Sequence, residues 1–336
     1  MRATTSVLIP SFGRPAALTR CLASLTQQTL APDEVVVVWQ ATDDATRDAA
    51  LSFEHRTPFS LIVVHSPARG ITCSENAALR CSRGAVVLLI DDDATAPRDW
   101  VERHLSHFED PTVGAVGGPA DNYTTANAPF PRREPHQIGR ITWYGRCVGN
   151  MYDYPAHWKH RRQIDVDQLV GYNMAVRRAA FEGFEERLKP YWQKFETDIC
   201  LQVGERGYRV LFDFANVVNH YPTNTVYAPG RGGDLEAKVY GAAYNWAFVL
   251  SKHSPPHLRA CRLLYLLLLG STSTPGLLGV LVNAFRGNGI IAEVTLLPRI
   301  LKSFLSGWNA GARARVSRSN ARSVLFRHNV CDTKIR

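Results

Sequence analysis

Long apolar runs are missing from this 336-residue sequence, and their absence disfavours a protein with membrane-spanning helices. A bilayer-spanning helix needs ~20 predominantly apolar residues in succession. The candidates Tyr240–Leu250, Leu263–Leu269 and Leu277–Phe285 are all much shorter, and a segment rich in glycine, serine and threonine separates the last two. Near the amino end, Val7–Ile9 is too short for the apolar part of a signal peptide. We therefore predict neither a spanning helix nor a leader sequence.

Cysteine pairs at metal-binding or redox spacing are also absent. The seven cysteines are scattered, odd in number and never arranged as Cys-x-x-Cys. That distribution disfavours a disulfide framework and a zinc site, and it favours free thiols in a reducing, cytoplasmic compartment. The sequence also lacks the Gly-x-Gly-x-x-Gly fingerprint of dinucleotide-binding proteins.

Acidic residues are scarce in the last quarter of the chain. Residues 251–336 hold 13 of the 39 Lys and Arg residues but only 2 of the 30 Asp and Glu residues. The excess positive charge of the chain, +9, therefore lies in this region. Such asymmetry predicts a surface that meets something anionic. Because no aromatic residues alternate with these cations on a predicted sheet, we expect a membrane surface and no nucleic acid.

What the sequence does contain is a regular alternation of short apolar runs and helical patterns. Four such runs alternate with three amphipathic segments within the first ~90 residues, which predicts right-handed βαβ units. The predicted fold class is α/β, with a Rossmann-like, mostly parallel central sheet followed by a helical region. Further helices are expected at Asp99–Phe108, Arg177–Phe184 and Ile199–Arg206. The predicted strands are Ser6–Ile9, Glu34–Trp39, Phe59–Val64 and Val86–Ile90, and the helices between them are Ala16–Gln28, Thr46–Phe53 and Ser74–Arg80.

Three consecutive carboxylates follow the fourth of these strands. Asp91, Asp92 and Asp93 come directly after Val86–Ile90, at the carboxyl edge where open α/β sheets bind their ligands. Packed carboxylates repel one another unless a cation lies among them. Mg²⁺ and Mn²⁺ prefer oxygen ligands and often share them with substrate phosphates. The triplet predicts a metal-assisted site for a phosphorylated substrate, and the alternative is an acidic loop that caps the next helix.

Further short motifs stand before and after the triplet in a defined order. They comprise residues 7–14, 43–46, 69–70, 75–78, 89–93, 117–118, 171–178, 183–186, 196–201 and 207–209. In their order and spacing, these motifs resemble the GT-A glycosyltransferases of the large inverting family 2, which transfer sugars from nucleotide sugars. The resemblance covers roughly residues 5–222.

The resemblance implies a site for a nucleotide-sugar donor and a metal ion, Mn²⁺ or Mg²⁺. The first and third carboxylates form the Asp-x-Asp pair of such enzymes, with Asp93 on the metal and Asp91 near the ribose or the metal. His220 is a further metal candidate, although a lone histidine is more often structural. Arg69 would place a second positive charge on the diphosphate or would form a surface ion pair. The residues assigned to the nucleotide sugar are Pro10, Ser11, Gly13, Gln40, Asp44, Arg69, Asn76, Asp91 and Asp92.

A second pair of acids is implied to serve the acceptor. In an inverting transfer, a carboxylate removes the proton of the acceptor hydroxyl as its oxygen attacks the anomeric carbon. Glu196 stands at the usual position of this base, and Asp198 is the rival. The alternative is that both acids cap the helix that follows them. Gly118 and Asn173 are expected beside the donor sugar or the acceptor.

One departure from the family pattern affects the nucleotide. Relatives often carry an acid at the end of the second strand, where this chain has Trp39 and Gln40, and the acids come later, at Asp43 and Asp44. Asp44 matches the later acid of the pattern, with Thr46 as the helix cap. UDP is the first expectation for the carrier, and thymidine or guanosine nucleotides remain open.

Domain boundaries and competing functions complete the predictions. We expect a catalytic domain at residues 1–225, with a donor half to 118 and an acceptor half from 119. A membrane-associated helical region would cover residues 226–310, and a basic tail would cover 311–336. The acceptor would be a glycan or a lipid-linked molecule. We expect the protein to be cytoplasmic and to lie peripherally on the inner face of the cell membrane. The alternatives are a nucleotidyltransferase, which the short Ser-Phe-Gly-Arg-Pro loop disfavours, and a non-catalytic binding module.

Overall fold

The computed structural model describes residues 2–67, 70–123, 137–149, 163–190, 194–222, 235–271, 273–285 and 290–331. Two compact units divide the chain. The first comprises residues 1–141, 147–187 and 195–233, and the second comprises residues 142–146, 188–194 and 234–336.

A mixed sheet forms the centre of the first unit. Within the described residues its eight strands are β1 (Thr5–Ser11), β2 (Glu34–Gln40), β3 (Ser60–Ser66), β4 (Val86–Leu89), β6 (Val113–Gly117), β10 (Gln163–Asp165), β11 (Met174–Arg177) and β12 (Arg209–Asp213). They lie in the order β3-β2-β1-β4-β11-β6-β12-β10. Neighbours are parallel except where β11 lies between β4 and β6 and where β10 meets β12. The predicted α/β class with a mostly parallel sheet is therefore confirmed.

Helices cover this sheet because their apolar residues recur on one face. In α1 (Pro15–Leu25), the residues Leu18, Cys21, Leu22 and Leu25 are fully buried, at the spacing of one helical stripe. Pro15 occupies the first turn, where its missing N–H has no partner to lose. The other helices of the unit are α2 (Asp44–Leu51), α3 (Ile71–Cys81), α4 (Trp100–His107) and α5 (Phe195–Glu205).

The first strand continues through its proline, so the predicted end at Ile9 is wrong. Pro10 pairs in register with Val38 of β2, and β1 ends at Ser11. On its other side β1 pairs with β4 only as far as Leu8. Proline is tolerated here because its missing N–H falls beyond the β4 ladder.

The predicted helix Arg177–Phe184 is also wrong. Arg177 ends strand β11, and only residues 178–180 form a single 3₁₀ turn. The Arg177 guanidinium donates to the carbonyls of Phe108, Asp110 and Val113, which holds the chain extended along β6. Tertiary hydrogen bonds override the local helical pattern at this point.

A small second sheet lies after the carboxyl end of β4. It is formed by β5 (Ala94–Thr95), β13 (Val218–His220) and β7 (Ala120–Asn122), in that order. His220 of β13 pairs with Ala94 of β5, and Ala94 directly follows the carboxylate triplet in the sequence. The pairing therefore places His220 beside the triplet. The described residues of the unit also include a hairpin of β8 (Arg140–Ile141) and β9 (Cys147–Val148).

The second unit is helical. It contains α6 (Leu235–His253), α7 (Arg259–Leu268), α8 (Leu277–Phe285) and α9 (Ile290–Cys331). Gly307 and Gly311 bring α9 against α6 so closely that a Cβ at either position would lie 2.2 Å from a backbone oxygen of α6. Helix α9 continues through residue 310, where the sequence analysis placed the boundary between the helical region and the basic tail. Within the described ranges, no helix has the length and apolar character needed to cross a bilayer.

Candidate active site

The carboxylate triplet lies where β4 ends, and the three side chains have different environments. Asp92 is fully buried and Asp93 nearly so, whereas Asp91 is partly exposed. The backbone oxygen of Asp93 accepts a hydrogen bond from Tyr221 N–H at 2.8 Å, next to the β5–β13 ladder. The turn therefore holds the first and third carboxylates toward β13.

Asp91, Asp93 and His220 converge on one point. His220 Nε2 lies 3.2 Å from Asp93 Oδ1 and 3.9 Å from Asp91 Oδ2. One ligand atom from each residue can be chosen so that all three atoms lie within 4.8 Å of one another. Two carboxylate oxygens and an imidazole nitrogen form a donor set that suits a divalent cation. The predicted grouping of these three residues is thus present in the structure.

The orientation of His220 is set by residues on either side. Its Nδ1 lies 2.7 Å from Asn122 Oδ1, and its ring stacks on Tyr172 with centroids 5.0 Å apart. Because an amide oxygen only accepts, the Nδ1 atom is the donor in this contact, and the Nε2 atom is the one that faces Asp91 and Asp93. A metal-binding histidine needs this arrangement, in which the other ring nitrogen donates to a fixed partner.

Asp92 faces away from this point, into the protein. Its Oδ2 accepts from Ser11 Oγ at 2.6 Å and from Arg14 Nε at 3.1 Å. Arg14 Nη1 also reaches Asp93 Oδ2 at 2.5 Å, so one guanidinium holds two members of the triplet. Desolvation raises the pKa of Asp92 to about 7, and the negative charge of Asp93 adds to this while Arg14 opposes it.

Arg14 is a site residue that the sequence analysis missed as a candidate. The signal was available, because a cation in the turn after β1 lies at the same sheet edge as acids after the neighbouring strand β4. Ser11, which was predicted to contact the nucleotide, instead has its hydroxyl on Asp92.

The acid that contacts the turn after β1 is Asp43, the neighbour of Asp44, which the sequence analysis assigned to the nucleotide sugar. Asp43 Oδ2 accepts from Gly13 N–H at 2.5 Å, and its Oδ1 caps α2 at Thr46 N–H. Gly13 has a φ of +69°, a conformation that favours glycine. Asp44 is exposed and pairs with Arg47, and Thr46 is buried inside the helix rather than capping it.

Gln40 and Asn76, both predicted to bind the nucleotide sugar, make contacts at α3. Gln40 binds the loop before this helix, and Asn76 lies in its second turn. Gln40 is buried, and its Oε1 accepts from Gly70 N–H at 2.9 Å, so it fixes the loop before α3. Asn76 binds the backbone of Phe184 through both its amide atoms, and it also reaches Glu186. Arg69 lies outside the described residues.

Asn173, predicted to touch the sugar, is a buried structural residue. It is fully enclosed, and its Oδ1 accepts from Trp100 Nε1 at 2.8 Å and from His104 Nε2 at 3.1 Å. Its amide group donates to the carbonyls of Pro119 and Asn216. All four hydrogen-bonding positions are occupied, so no polar atom remains for a sugar.

Gly118 is held by the same group of residues. Its N–H donates to Asn173 O at 3.2 Å, and a Cβ at this position would lie 2.0 Å from Asn216 O. A side chain cannot fit there without moving the backbone of residue 216. The structure thus assigns Gly118 a packing role in the turn that leads into β7.

The two candidate bases differ in exposure, and both lie in the first turn of α5. Glu196 is partly exposed, and its Oε1 accepts from Gly171 N–H at 3.3 Å. Asp198 is fully buried, with Oδ2 accepting from Gln202 Nε2 at 2.8 Å. The sequence analysis did not include the buried acid Glu75 among the candidates. Desolvation raises the pKa of Glu75 well above its usual range, with smaller contributions from Asp91 and Glu196. Glu75 therefore senses the charges of both groups.

Comparison with known proteins decides the family. The sequence profile described as "Glycosyl transferase family 2" matches residues 6–184, more than half of the chain. The chain belongs to this family. The family 2 assignment made from the sequence motifs is confirmed.

Two relatives from Haloferax volcanii illustrate the reach of the sequence similarity. A glucosyl-dolichyl phosphate glucuronosyltransferase is 26% identical over 233 residues, which cover 66% of this chain and 69% of the relative. Glycosyltransferase AglE is 29% identical over 115 residues, 34% of this chain and 38% of the relative. The match with AglE thus spans well under half of the length of that protein.

Solved structures support the fold. The mannosyltransferase PcManGT from Pyrobaculum calidifontis, in complex with GDP-Man and Mn²⁺, is 20% identical with a TM-score of 0.54, covering 94% of this chain and 88% of its own. S. aureus TarS 1–349 in complex with UDP-GlcNAc is 15% identical with a TM-score of 0.60, covering 90% and 81%. At this identity the likeness establishes the GT-A fold of this family 2 member, and the predicted fold is confirmed.

Proposed function

We propose that this family 2 protein transfers a sugar from a nucleotide-diphosphate sugar to an acceptor hydroxyl with inversion, assisted by a divalent cation. The observation that supports this most is the convergence of Asp91, Asp93 and His220 at the carboxyl edge of the parallel strands. That edge is where ligands of open α/β sheets bind. The nucleotidyltransferase and binding-module alternatives have no comparable observation in their favour.

The donor set favours Mn²⁺ over Mg²⁺. Mg²⁺ is bound almost entirely by oxygen atoms, whereas the nitrogen of His220 is better suited to a transition-metal ion. When bound, the cation would stabilise negative charge on the departing diphosphate. Two solved structures that resemble this fold, PcManGT and GalNAc-T7, were determined with Mn²⁺.

Glu196 is the proposed base. Its carboxylate would take the proton of the acceptor hydroxyl while that oxygen bonds to the anomeric carbon and the carbon–phosphate oxygen bond breaks on the opposite side. Glu196 is partly exposed, whereas Asp198 is enclosed and hydrogen-bonded within its own helix. The backbone N–H of Gly171 orients the Glu196 carboxylate.

The donor nucleotide and the acceptor belong to the proposal as well. We keep UDP as the first candidate carrier, and the neighbours in complex with GDP-Man and UDP-GlcNAc make both nucleotides worth testing. The acceptor would be a glycan or a lipid-linked glycan in polysaccharide biosynthesis. The protein would act in the cytoplasm, peripherally on the inner face of the membrane.

The donor is tested by measuring thermal unfolding of the full chain with UDP-, GDP- and TDP-sugars, each with Mn²⁺ or Mg²⁺. A donor that binds the folded state raises the unfolding temperature, and at equal concentration a tighter donor raises it more. We expect stabilisation by one carrier, with Mn²⁺ giving the larger shift. If no nucleotide sugar stabilises the protein with either ion, the proposed donor site is incorrect.

The base is tested with Glu196→Gln and a matched change in the same helix. Loss of a general base lowers the rate by about 10² to 10⁴-fold, so we expect kcat to fall in that range while donor affinity is unchanged. Glu205→Gln, at the exposed end of α5, should leave kcat intact. Normal turnover in Glu196→Gln together with loss in Asp198→Asn would assign the base to Asp198.

A further inference from the structure

A hairpin of two helices in the second unit exposes many large aliphatic side chains. Helix α7, the turn after it and α8 carry seven of them, each between 38% and 56% exposed. Single exposed leucines are ordinary, but a group of this size within one short hairpin marks an interaction surface. We define the α7–α8 surface by these residues, which are Leu264, Leu268, Leu269, Leu277, Leu278, Leu281 and Val282.

Glycines hold the two helices together with their backbones in contact. A Cβ on Gly276 would lie 2.6 Å from Leu267 O, and one on Gly279 would lie 2.1 Å from Leu269 O. The turn between the helices is closed by a bridge between Gly270 and Pro275. The buried side of this hairpin is formed by Tyr265, Leu266 and Val280. The residues of the α7–α8 surface are exposed on its other side.

The sequence that contains the hairpin carries charge of one sign. From Ala237 to Ala292 there is no Asp or Glu, and there are five Lys or Arg residues, of which Lys252 is buried. Helix α9 of the same unit adds the exposed side chains of Lys302 and Arg313. A helical unit with an excess of cations and with this apolar surface is complementary to an anionic partner that is also apolar beneath its charged layer.

An exposed aromatic side chain lies beside α7. Trp143 is 64% exposed, and its backbone oxygen accepts from Arg262 Nε at 3.0 Å. The neighbouring Tyr144 packs edge-on against Tyr265 of α7, with centroids 5.2 Å apart. Tryptophan and tyrosine are enriched at the level of lipid headgroups, where one end of the ring is wet and the other apolar.

From these features we infer that the α7–α8 surface docks on an anionic phospholipid bilayer. The leucines lie among the acyl chains, Trp143 lies at the headgroups, and the helices lie in the interface without crossing it. This inference rests on the peripheral location in the proposed function and names the surface that provides it. Binding to lipid needs no sugar donor, so its failure can be distinguished from a failure of the transferase proposal.

The test is sedimentation of the full chain with vesicles. We expect binding to vesicles of equimolar phosphatidylcholine and phosphatidylglycerol, weaker binding to phosphatidylcholine alone, and weakening with added salt. The double variant Leu264→Gln/Leu281→Gln should bind about tenfold more weakly, because two half-exposed leucines no longer enter the bilayer. Leu51→Gln, which changes a leucine of similar exposure in α2 of the first unit, should bind like the unchanged protein.

A second readout follows Trp143 directly. Its emission should shift to shorter wavelength with anionic vesicles, and the shift should be smaller in Trp143→Phe. Equal vesicle binding by the double variant and the unchanged protein would overturn the inference, as would absence of binding to anionic vesicles. A third outcome would also overturn it. If the unchanged protein is a dimer in gel filtration, the double variant is a monomer and neither binds vesicles, the surface joins two copies of the chain.

Discussion

Two polar clusters in the first unit are built from similar residues but are used differently. Around Asn173, a buried amide satisfies two donors and two carbonyls, and each of its own positions is filled. Around Asp93, two carboxylates and the Nε2 atom of His220 converge on one point, and Arg14 balances part of the carboxylate charge. The first cluster has every side-chain position filled, whereas the second offers three ligand atoms to the cation that we propose.

The difference separates structural from functional polar residues. A satisfied buried network stabilises one arrangement of the chain, and an arrangement that brings carboxylates together destabilises the fold unless a ligand compensates. Asn173 and Asp93 would be hard to tell apart from their sequence motifs, since both stand in segments typical of family 2. The following predictions test this contrast, from the largest expected effect to the smallest.

Asp93→Asn should have the largest effect, and on function. The amide removes one negative charge from the cation site, so we expect kcat/KM to fall about 10³-fold, or about 4 kcal/mol of transition-state stabilisation. Mn²⁺ affinity measured by calorimetry should fall as well. Asp48→Asn, at an exposed position of α2, is the control and should change neither quantity. Undiminished Mn²⁺ binding by Asp93→Asn would place the metal elsewhere.

Asn173→Leu should act on stability. It leaves Trp100 Nε1, His104 Nε2 and two carbonyls buried without a partner, and we expect a loss of about 3 kcal/mol in the free energy of unfolding. Asn76→Leu is the graded control, because Asn76 is partly exposed and should cost less. Denaturant unfolding measures both. A stable Asn173→Leu protein with a raised donor KM would restore the predicted sugar contact.

His104 gives the same network a pH dependence. Because Asn173 Oδ1 only accepts, His104 Nε2 carries the proton, and burial lowers the pKa of His104 to about 4. Between pH 6.5 and about 4 the unfolded chain therefore binds a proton that the folded protein does not. The free energy of unfolding decreases as the pH is lowered through this interval. From pH 7.5 to pH 5 this amounts to about 2 kcal/mol.

The change His104→Gln removes this titration while keeping a side-chain donor. The variant should lose about 2 kcal/mol less stability than the unchanged protein over the same pH interval, measured by urea unfolding at both pH values. His55→Gln, at an exposed histidine, serves as the matched substitution. Identical pH dependence in His104→Gln and the unchanged protein would contradict the assignment.

Ser11→Ala should have the smallest effect. It removes the buried 2.6 Å hydrogen bond to the Asp92 carboxyl group, at a cost of about 1.5 kcal/mol in stability. Thr19→Ala, which loses an exposed hydroxyl contact within α1, should cost less. If Ser11 touched the nucleotide as first predicted, donor KM would rise instead, with little change in the unfolding midpoint.

The sequence predicted the fold well where hydrophobic periodicity decides the structure. Strands β1 to β4 were predicted to within two residues at each end, because each is an apolar run bounded by turn residues. The helix expected at Arg177–Phe184 was wrong because arginine hydrogen bonds to distant carbonyls hold the chain extended. Such long-range bonds have no local signature.

The candidate site was predicted in part for the same reason. Asp91, Asp93 and His220 could be grouped because motif order places them at one sheet edge. Which acid of a pair contacts the turn after β1 depends on side-chain direction, so the sequence did not indicate that Asp43 binds Gly13 while Asp44 pairs with Arg47. Arg14 was missed although its place after β1 put it at the same sheet edge as the triplet, because its ion pairs with Asp92 and Asp93 depend on which way the side chain points.

The antiparallel strand β11 has a consequence for how the chain must be made. Since β11 lies between β4 and β6, residues 174–177 complete the pairing of a strand that ends at residue 89. When only the first half of the chain has been synthesised, one edge of β4 therefore still lacks its partner strand. Pairing over such a distance is slow, and unpaired edges are prone to aggregation. Residues 1–118 expressed alone should accordingly be insoluble, although they hold the whole carboxylate triplet.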